Sequence, residues 1–207
     1  MIRLHMSDLT QNQANTTYPA LEKIPAMQRR RLSSIAKIAL NSAIQALEGQ
    51  SVDYIVWVSQ YGDEHKTLSI LKDVLQDQIP SPTQFSTSVH NAISGLYSIL
   101  CQDATPATSL AGSWNDALVE AYVWLKTSAN ADAAVLIVYY DESLPPIYQD
   151  FQPFEAFSMA AVVCLDQPNL ALDLSAAPAV SMAFQEAQAF QKFWHGAEQT
   201  QAVWRKC

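Results

Sequence analysis

The sequence predicts an α/β fold in which a largely parallel β-sheet is flanked by helices. Two continuous apolar runs, residues 54–58 and 133–140, have the composition of strands buried on both faces. Segments of helical periodicity lie between them, and buried strands that alternate with helices are typical of α/β layers. The chain has 207 residues, of which 49% are hydrophobic, so we expect a substantial core in one domain spanning residues 1–207.

The N-terminal part contains one strong helix signal. Residues 1–9 are expected to form a short edge strand, and residues 10–22 are polar and turn-like. A long helix is predicted over residues 25–48, because apolar residues recur along one face and Gly49 stands where a helix C-cap glycine belongs.

A second helix follows the strand at residues 54–58. It is predicted over residues 64–76, and its apolar residues are expected to point inward: Leu68, Leu71, Val74 and Leu75. Pro80 and Pro82 end this helix, and a segment rich in serine and threonine leads into a third helix.

The organising element of the chain is a strand that turns abruptly into a helix. The apolar, hydroxyl-rich segment 105–110 passes through Ala111 and Gly112 to Ser113, and a helix with one apolar face begins at Trp114. Ser113 and Asp116 have the spacing of an N-terminal capping pair. α/β enzymes place nucleophiles at such turns, where the helix N-terminus favours negative charge. Here Ala111 and Gly112 carry no nucleophilic atom.

The C-terminal part contributes the strongest strand and a final helix. The strand over residues 133–140 precedes a loop at 141–153, and further strands are predicted over residues 157–165 and 171–174. Residues 180–203 are predicted to form an amphipathic helix that caps the fold.

Charge and cysteine content limit the class of protein. A net charge of −8 argues against nucleic acid or an anionic membrane as the main partner. The three cysteines have no metal-type spacing, and we expect neither a metal nor a cofactor. Cys101, Cys164 and Cys207 are expected to be structural or inert rather than catalytic. No signal peptide or membrane-spanning run is predicted, so we expect a reducing cytoplasm.

Four segments together resemble β-ketoacyl synthases of the thiolase fold. Residues 82–85 (PTQF) ahead of residues 88–96 (SVHNAISGL) are similar to the segment that precedes the nucleophile in these synthases. Residues 30–33 and the turn at 59–62 are similar to a ketosynthase-like family of bacterial aryl polyene gene clusters. Residues 109–113 stand where ketosynthases carry Thr-Ala-Cys, and the cysteine position falls on Ala111.

The resemblance implies a chain length factor, a ketosynthase-like subunit without the nucleophile. It covers about residues 21–165 and corresponds to the N-terminal half of a thiolase-type chain, without the half that brings the catalytic histidines. It implies pairing with a full β-ketoacyl synthase, contact with acyl carrier protein through that complex, and control of acyl chain length in polyketide, polyene or fatty-acid-like elongation. Half of such a fold would leave sheet edges for a partner to cover.

The resemblance also assigns roles to individual residues. The acyl tunnel is expected to be lined by Phe85, Gly62, His65, Leu68, His90 and Asn91. The strand expected to pair across the pseudo-two-fold axis contains Thr105, Ala107, Thr108, Ser109 and Leu110.

Simpler roles stay open for several of these residues. Phe85 and Leu68 would equally fit an ordinary core, His90 and Asn91 would fit a helix cap that bonds neighbouring loops, and His65 would fit a helix surface.

Two other functions compete with the chain length factor. One is a serine hydrolase that uses Ser113, because Asp166 or Asp173 and then His195 follow it in the order found in α/β-hydrolases. The other is a scaffold subunit that only stabilises a ketosynthase.

Overall fold

The computed structural model describes residues 1–14, 17–148, 154–176 and 182–207. In these ranges the strands are β1 (Ile2–Met6), β2 (Thr10–Gln13), β3 (Tyr54–Ser59), β4 (Ala107–Ala111), β5 (Val135–Asp141), β6 (Phe157–Cys164), β7 (Leu170–Leu172), β8 (Thr200–Gln201) and β9 (Trp204–Lys206). The α-helices are α1 (Ala26–Arg29), α2 (Ser34–Leu47), α3 (Glu64–Leu75), α4 (Pro82–Ser88), α5 (Ala92–Cys101), α6 (Trp114–Thr127) and α7 (Ala183–His195). A 3-10 helix covers Pro19–Lys23.

The strands form one mixed sheet in the order β4-β3-β5-β6-β1-β7-β9-β8, and β2 pairs with β6 beside this path. The helix-flanked α/β architecture is confirmed. The expectation of a largely parallel sheet is wrong, because two of the eight strand pairs among the described residues, β3–β4 and β3–β5, are parallel. The β5–β6 pair and the pairs beyond it are antiparallel, because no crossover helix joins β5 to β6 among the described residues and the N-terminal strand β1 runs between β6 and β7.

The N-terminal strand lies inside the sheet rather than at its edge. β1 pairs with β6 on one side and β7 on the other, and Ile2, Leu4 and Met6 are buried. The segment after it is also more regular than predicted, because residues 10–22 contain β2 and the beginning of the 3-10 helix. These pairings join residues about 160 positions apart, so local sequence could not reveal them.

Helices cover both faces of the sheet. Alternate residues of the central strands point to opposite sides, as the pleat requires. Val56 and Val58 enter a core formed with α6 and α7, whereas Ile55 and Trp57 enter a core formed with α2 and α5. The strand predicted at residues 54–58 is therefore confirmed as buried on both faces.

The long helix predicted over residues 25–48 is two helices. α1 ends at Arg29, and α2 begins after Ser33, whose side chain accepts a hydrogen bond from the amide of Ala36 at 3.4 Å. Serine competes for backbone donors at such a position, and this favours a cap over a helix interior. At the other end Glu48 and Gly49 have φ values of 49° and 85°, so both residues form the left-handed termination.

The bounds predicted for α3 are correct within a residue, but its apolar side chains do not point into this chain's core. No residue of α3 is buried, and Leu75 is 84% exposed. The segment after α3 also forms α4, a helix that the serine- and threonine-rich sequence did not predict.

The C-terminal segment is a helix followed by a hairpin. α7 begins at Ala183 rather than residue 180, and β8 and β9 replace the end of the predicted helix. The predicted start at residues 180 and 181 and the loop residues 149–153 lie outside the described residues. β9 pairs with β7, so the hairpin extends the sheet. Within the described ranges no helix is long and apolar enough to cross a membrane.

Candidate functional site

The candidate site lies at the carboxyl ends of the three parallel strands β4, β3 and β5. Ser59 at the end of β3 pairs in register with Ala111 at the end of β4, and Asp141 is the last residue of β5. Ligands of α/β proteins bind at this edge of the sheet because the loops that follow parallel strands converge there.

A buried carboxylate fixes the loop after β3. Asp141 is fully buried and accepts hydrogen bonds from Ser59 Oγ at 2.7 Å, from the amide nitrogens of Gln60 and Tyr61 at 3.0 and 3.2 Å, and from Tyr139 Oη at 2.5 Å. Burial raises the pKa of Asp141, and these hydrogen bonds oppose that shift. Four donors to one carboxylate hold the ends of β3 and β5 in a fixed relation.

Two of the predicted tunnel residues meet at this loop. Gly62 donates its amide to Ser59 Oγ at 2.7 Å, and its φ of 69° is a conformation that favours glycine. His90 Nε2 donates to the carbonyl oxygen of Ser59 at 3.0 Å. A β-carbon on Gly62 would lie 3.6 Å from the His90 ring. The loop-bonding role considered for His90 is therefore present.

Three other predicted tunnel residues lie on α3 and at the start of α5. His65 is exposed on α3 and its Nε2 donates to the carbonyl oxygen of Ser143 at 3.0 Å. Leu68 is half-buried on the same helix. Asn91 stands at the N-cap of α5, but its side chain makes no capping hydrogen bond, so that expectation is wrong.

The turn between β4 and α6 has the predicted shape and no nucleophile at its tip. The methyl group of Ala111 is exposed, and a β-carbon on Gly112 would lie 2.7 Å from Asp116 Oδ2, which excludes a larger residue without rearrangement. The predicted capping pair is confirmed, because Ser113 Oγ accepts from the Asp116 amide and Asp116 Oδ2 accepts from the Ser113 amide at 2.8 Å.

The geometry does not support Ser113 as a hydrolase nucleophile. Its hydroxyl is used in the cap, and three histidines of the described chain bond to other carbonyl oxygens. The proposed base, His195, is exposed and lies nine residues after Glu186 on α7. Glu186 accepts from the amide next to Ser113, so His195 is displaced on the order of 13 Å along the helix axis.

Sequence reasoning missed a second buried carboxylate at this turn. Glu186 on α7 is 7% exposed, and its Oε1 accepts from the Asn115 amide at 2.9 Å. Burial raises the pKa of Glu186, and the bond from Asn115 opposes the shift. The available signal was its place on the apolar face of α7, at i, i+4 and i+7 spacing with Phe190 and Phe193.

A cavity of about 520 Å³ opens beside the turn. Its lining includes Ala111, Ser113, Asp116 and Glu186. Three carboxylates and no cationic side chain occur among the described residues that line it. In the described ranges no group of three or more histidine, cysteine or acidic side chains is placed to hold a metal ion.

The cysteines lie away from this turn. Cys101 ends α5, where burial is the main cause that raises the pKa of its thiol to about 11. Cys164 is partly buried and Cys207 is exposed. A thiol with a raised pKa is a poor nucleophile at neutral pH, as expected for Cys101.

One side of the molecule combines a free strand edge with exposed apolar side chains. β4 is the first strand of the sheet, and its predicted pairing residues lie along it, except Thr105, which precedes the strand and donates its amide to Asp103 Oδ1. Helices α3, α4 and α5 contact one another in order, and α5 contacts β4. We call β4 and these helices the edge surface; its exposed large apolar residues are Leu71, Val74, Leu75, Ile79, Phe85, Val89 and Ile99.

Phe85 is not a core residue, because 63% of it is exposed on α4. The backbone of β4 offers free hydrogen-bonding groups along the open edge. Ile55 donates to the carbonyl oxygen of Pro106, and Gly112 donates to that of Ser59, so alternate groups of β4 face β3. By that alternation the amide of Ser109 faces the open edge.

Comparison with known proteins places these features in context. The sequence model described as "Beta-ketoacyl synthase, N-terminal domain" matches residues 5–206. A search of curated protein sequences finds no match.

Among solved structures, the chain is similar to a chain from the complex of the ketosynthase ApeO with its chain length factor ApeC from Xenorhabdus doucetiae. The two share 21% identity and a TM-score of 0.76, over 100% of this chain and 98% of that chain. Weaker matches include the HMG synthase of the curacin pathway, with 14% identity, a TM-score of 0.47, and coverage of 84% of this chain and 43% of that one. PksG, an HMG-CoA synthase from Bacillus, has 11% identity and a TM-score of 0.49, with coverage of 96% and 52%.

Proposed function

This chain belongs to the β-ketoacyl synthase N-terminal domain family, and from that premise we propose that it is a non-catalytic chain length factor. It pairs with an active β-ketoacyl synthase, which supplies the nucleophile and the catalytic histidines. The family match reaches beyond the resemblance on residues 21–165 to residues 5–206. The complex extends an acyl or polyenoyl chain on acyl carrier protein, in the cytoplasm of a bacterium.

The observation that carries this proposal is the edge surface. An open strand edge flanked by large exposed apolar side chains is unfavourable in water and is normally covered. Leu75 at the end of α3 and Ile79 in the loop before α4 are 84% and 95% exposed. A second strand placed against β4 would continue the sheet, and the helices would bury their apolar side chains against the same partner.

The turn at Ala111 supports the non-catalytic part of the proposal. Claisen condensation needs a thiolate that holds the acyl chain and donors that stabilise the developing oxyanion. Ala111 cannot form a thioester, and side chains of this chain already accept hydrogen bonds from the amides of Ser113 and Asn115.

The proposed role of the edge surface in product length is steric. Phe85 on α4 projects from this surface and would close the far end of the partner's acyl tunnel, with Gly62, His65, Leu68, His90 and Asn91 behind it. A bulky side chain at a closed end makes each added unit overpack the tunnel. The ApeO–ApeC complex is a precedent for a ketosynthase that binds a chain length factor.

The test is the affinity of this chain for a β-ketoacyl synthase with which it is co-expressed. Ser109→Pro removes an amide that faces the open edge and leaves the amides of Thr108 and Leu110 free to bond to β3. We expect Ser109→Pro to weaken binding at least about ten-fold, as the loss of one interfacial hydrogen bond and some strand geometry would do. Ser109→Ala is the matched control, because it removes the hydroxyl and keeps the amide.

Equal affinity of both variants would contradict pairing through β4. Failure of the unsubstituted chain to bind any ketosynthase, together with a stable monomer or a dimer of this chain alone, would contradict the proposed function itself. A subunit that only stabilises the ketosynthase would bind equally well, and in that case substitutions in the tunnel residues would change stability but never product length.

A further inference from the structure

The first turn of α6 already holds an acidic side chain supplied by another part of this chain. Glu186 belongs to α7, 71 residues after Asn115, and its carboxylate accepts the Asn115 amide at 2.9 Å. The amides of Ser113 and Asp116 are taken by the capping box, and the amide of Gly112 bonds to the Ser59 carbonyl at 3.2 Å. Apart from Trp114, the consecutive turn and helix positions therefore have their amides occupied: Gly112, Ser113, Asn115 and Asp116.

Aromatic packing holds α7 in this position. Phe190, one turn after Glu186, packs against Trp114 at 5.3 Å and against Trp204 at 5.3 Å between ring centroids. Trp204 Nε1 in turn donates to Asn115 Oδ1 at 2.7 Å. Trp114 is thus held by α7 and Asn115 by β9, so the contact between Glu186 and the start of α6 is fixed by the packing of the fold.

The carboxylate of Glu186 and the position of the missing nucleophile belong to the same cavity. Ala111 and Glu186 line the same cavity, together with Asp116 and Asp173, and no cation lies among the described lining residues. Any negative charge that formed at position 111 would meet these carboxylates across a partly buried space, where charges interact more strongly than in water.

We propose that Glu186 places a negative charge at the N-terminus of α6, where a catalytic turn would stabilise the thiolate or oxyanion of the reaction. This turn would then be inactive for a second reason, besides the absence of a cysteine at position 111. Glu186 would act through its negative charge, which disfavours a second negative charge nearby. A thiol introduced at position 111 would therefore be poorly ionised. The inference rests on the proposed function only in taking position 111 as the position of the lost nucleophile. Its test measures the ionisation of a thiol at that position and needs no ketosynthase.

The experiment compares Ala111→Cys with Ala111→Cys/Glu186→Gln in the full chain. Glutamine keeps an oxygen that can accept the Asn115 amide and removes the charge. Alkylation by iodoacetamide is followed across pH 6 to 10 by mass spectrometry of the peptide that carries the introduced thiol. The exposed Cys207 serves as an internal reference for reagent and pH. Circular dichroism checks that each variant folds.

We expect the midpoint of the pH–rate profile to fall by about one unit when Glu186 is neutralised, a ten-fold change in thiol ionisation. Ala111→Cys/Glu198→Gln, which neutralises an exposed acid beyond α7, should leave the midpoint unchanged. Coincident profiles with and without the Glu186 charge would overturn the proposal. If the double variant does not fold, Ala111→Cys alone decides, because a midpoint below that of Cys207 would also overturn it.

Discussion

Replacing Phe85 with alanine is expected to weaken the complex with the ketosynthase and to lengthen its products. Phe85 lies on α4 and is 63% exposed, the largest aromatic surface on the edge surface. Alanine keeps the helix and removes only the ring, so the backbone of α4 and the strand edge stay as they are.

The exposed fraction sets the expected effect on affinity. A phenylalanine that becomes fully covered contributes about 200 Å², so the exposed 63% corresponds to about 125 Å² that a partner can still bury. At about 25 cal/mol per Å² this amounts to about 3 kcal/mol when the ring is wholly covered. A loss of 2–3 kcal/mol is typical of an aromatic hot spot and corresponds to an increase in Kd of about 30- to 150-fold.

Two measurements separate binding from tunnel closure. Calorimetric or interferometric titration gives Kd, and product analysis at saturating subunit concentration gives chain length with the complex intact. We expect longer or more widely distributed products, because the tunnel end gains the volume of a ring. Met27→Ala is the matched control, since Met27 is 71% exposed on α1, outside the edge surface. A Kd within two-fold of the unsubstituted chain, with unchanged product lengths, would refute the assignment of Phe85.

Two further predictions concern the buried groups near Asp141. Tyr139→Phe should lower the free energy of unfolding by about 1.5–3 kcal/mol, because Asp141 loses a 2.5 Å hydrogen bond. Tyr140→Phe is the control and should be neutral or stabilising, since the buried hydroxyl of Tyr140 has no partner among the described residues. Equal destabilisation of the two variants in urea titrations would contradict this. Burial, with the nearby charge of Asp63, raises the pKa of Glu142 from its ordinary 4.5 to about 7, so its contribution to stability is present below pH 4.5 and is lost as pH rises through 7. Glu142→Gln should therefore stabilise the chain at pH 8 by about 1–2 kcal/mol after solvent screening, and the gain should vanish near pH 4; melting curves that show the same gain at both pH values would disagree.

Local chemistry made the turn at Ala111 predictable. The capping pair Ser113 and Asp116 lies within one helical turn, and the apolar strand before it ends in two small residues. Spacing alone identifies such features, because the interacting groups are close in sequence. The strand at β3 was predictable for the same reason, since a continuous apolar run fits burial on two faces.

Contacts between distant segments were not predictable. β1 was expected at an edge because its neighbours β6 and β7 lie at the other end of the chain, and short sequence cannot assign them. Glu186 meets Asn115 across 71 positions, and the sequence gives only its unusual place on an apolar face. The apolar stripe of α3 wrongly predicted burial in this chain's core, because periodicity identifies an apolar face but not what covers it.

The two ends of the sheet differ in a way that limits how many chains can join. β4 is five residues long and its alternate backbone groups face the open edge, whereas at the opposite end β8 has only two residues, too few to pair with another strand. Of the two described end strands on the β4-to-β8 path, β4 is the one long enough to pair with another chain, so growth along this path stops after one partner. The sheet geometry thus favours a closed pair of chains over an open fibre, and charged side chains along the strand are not needed to prevent further pairing.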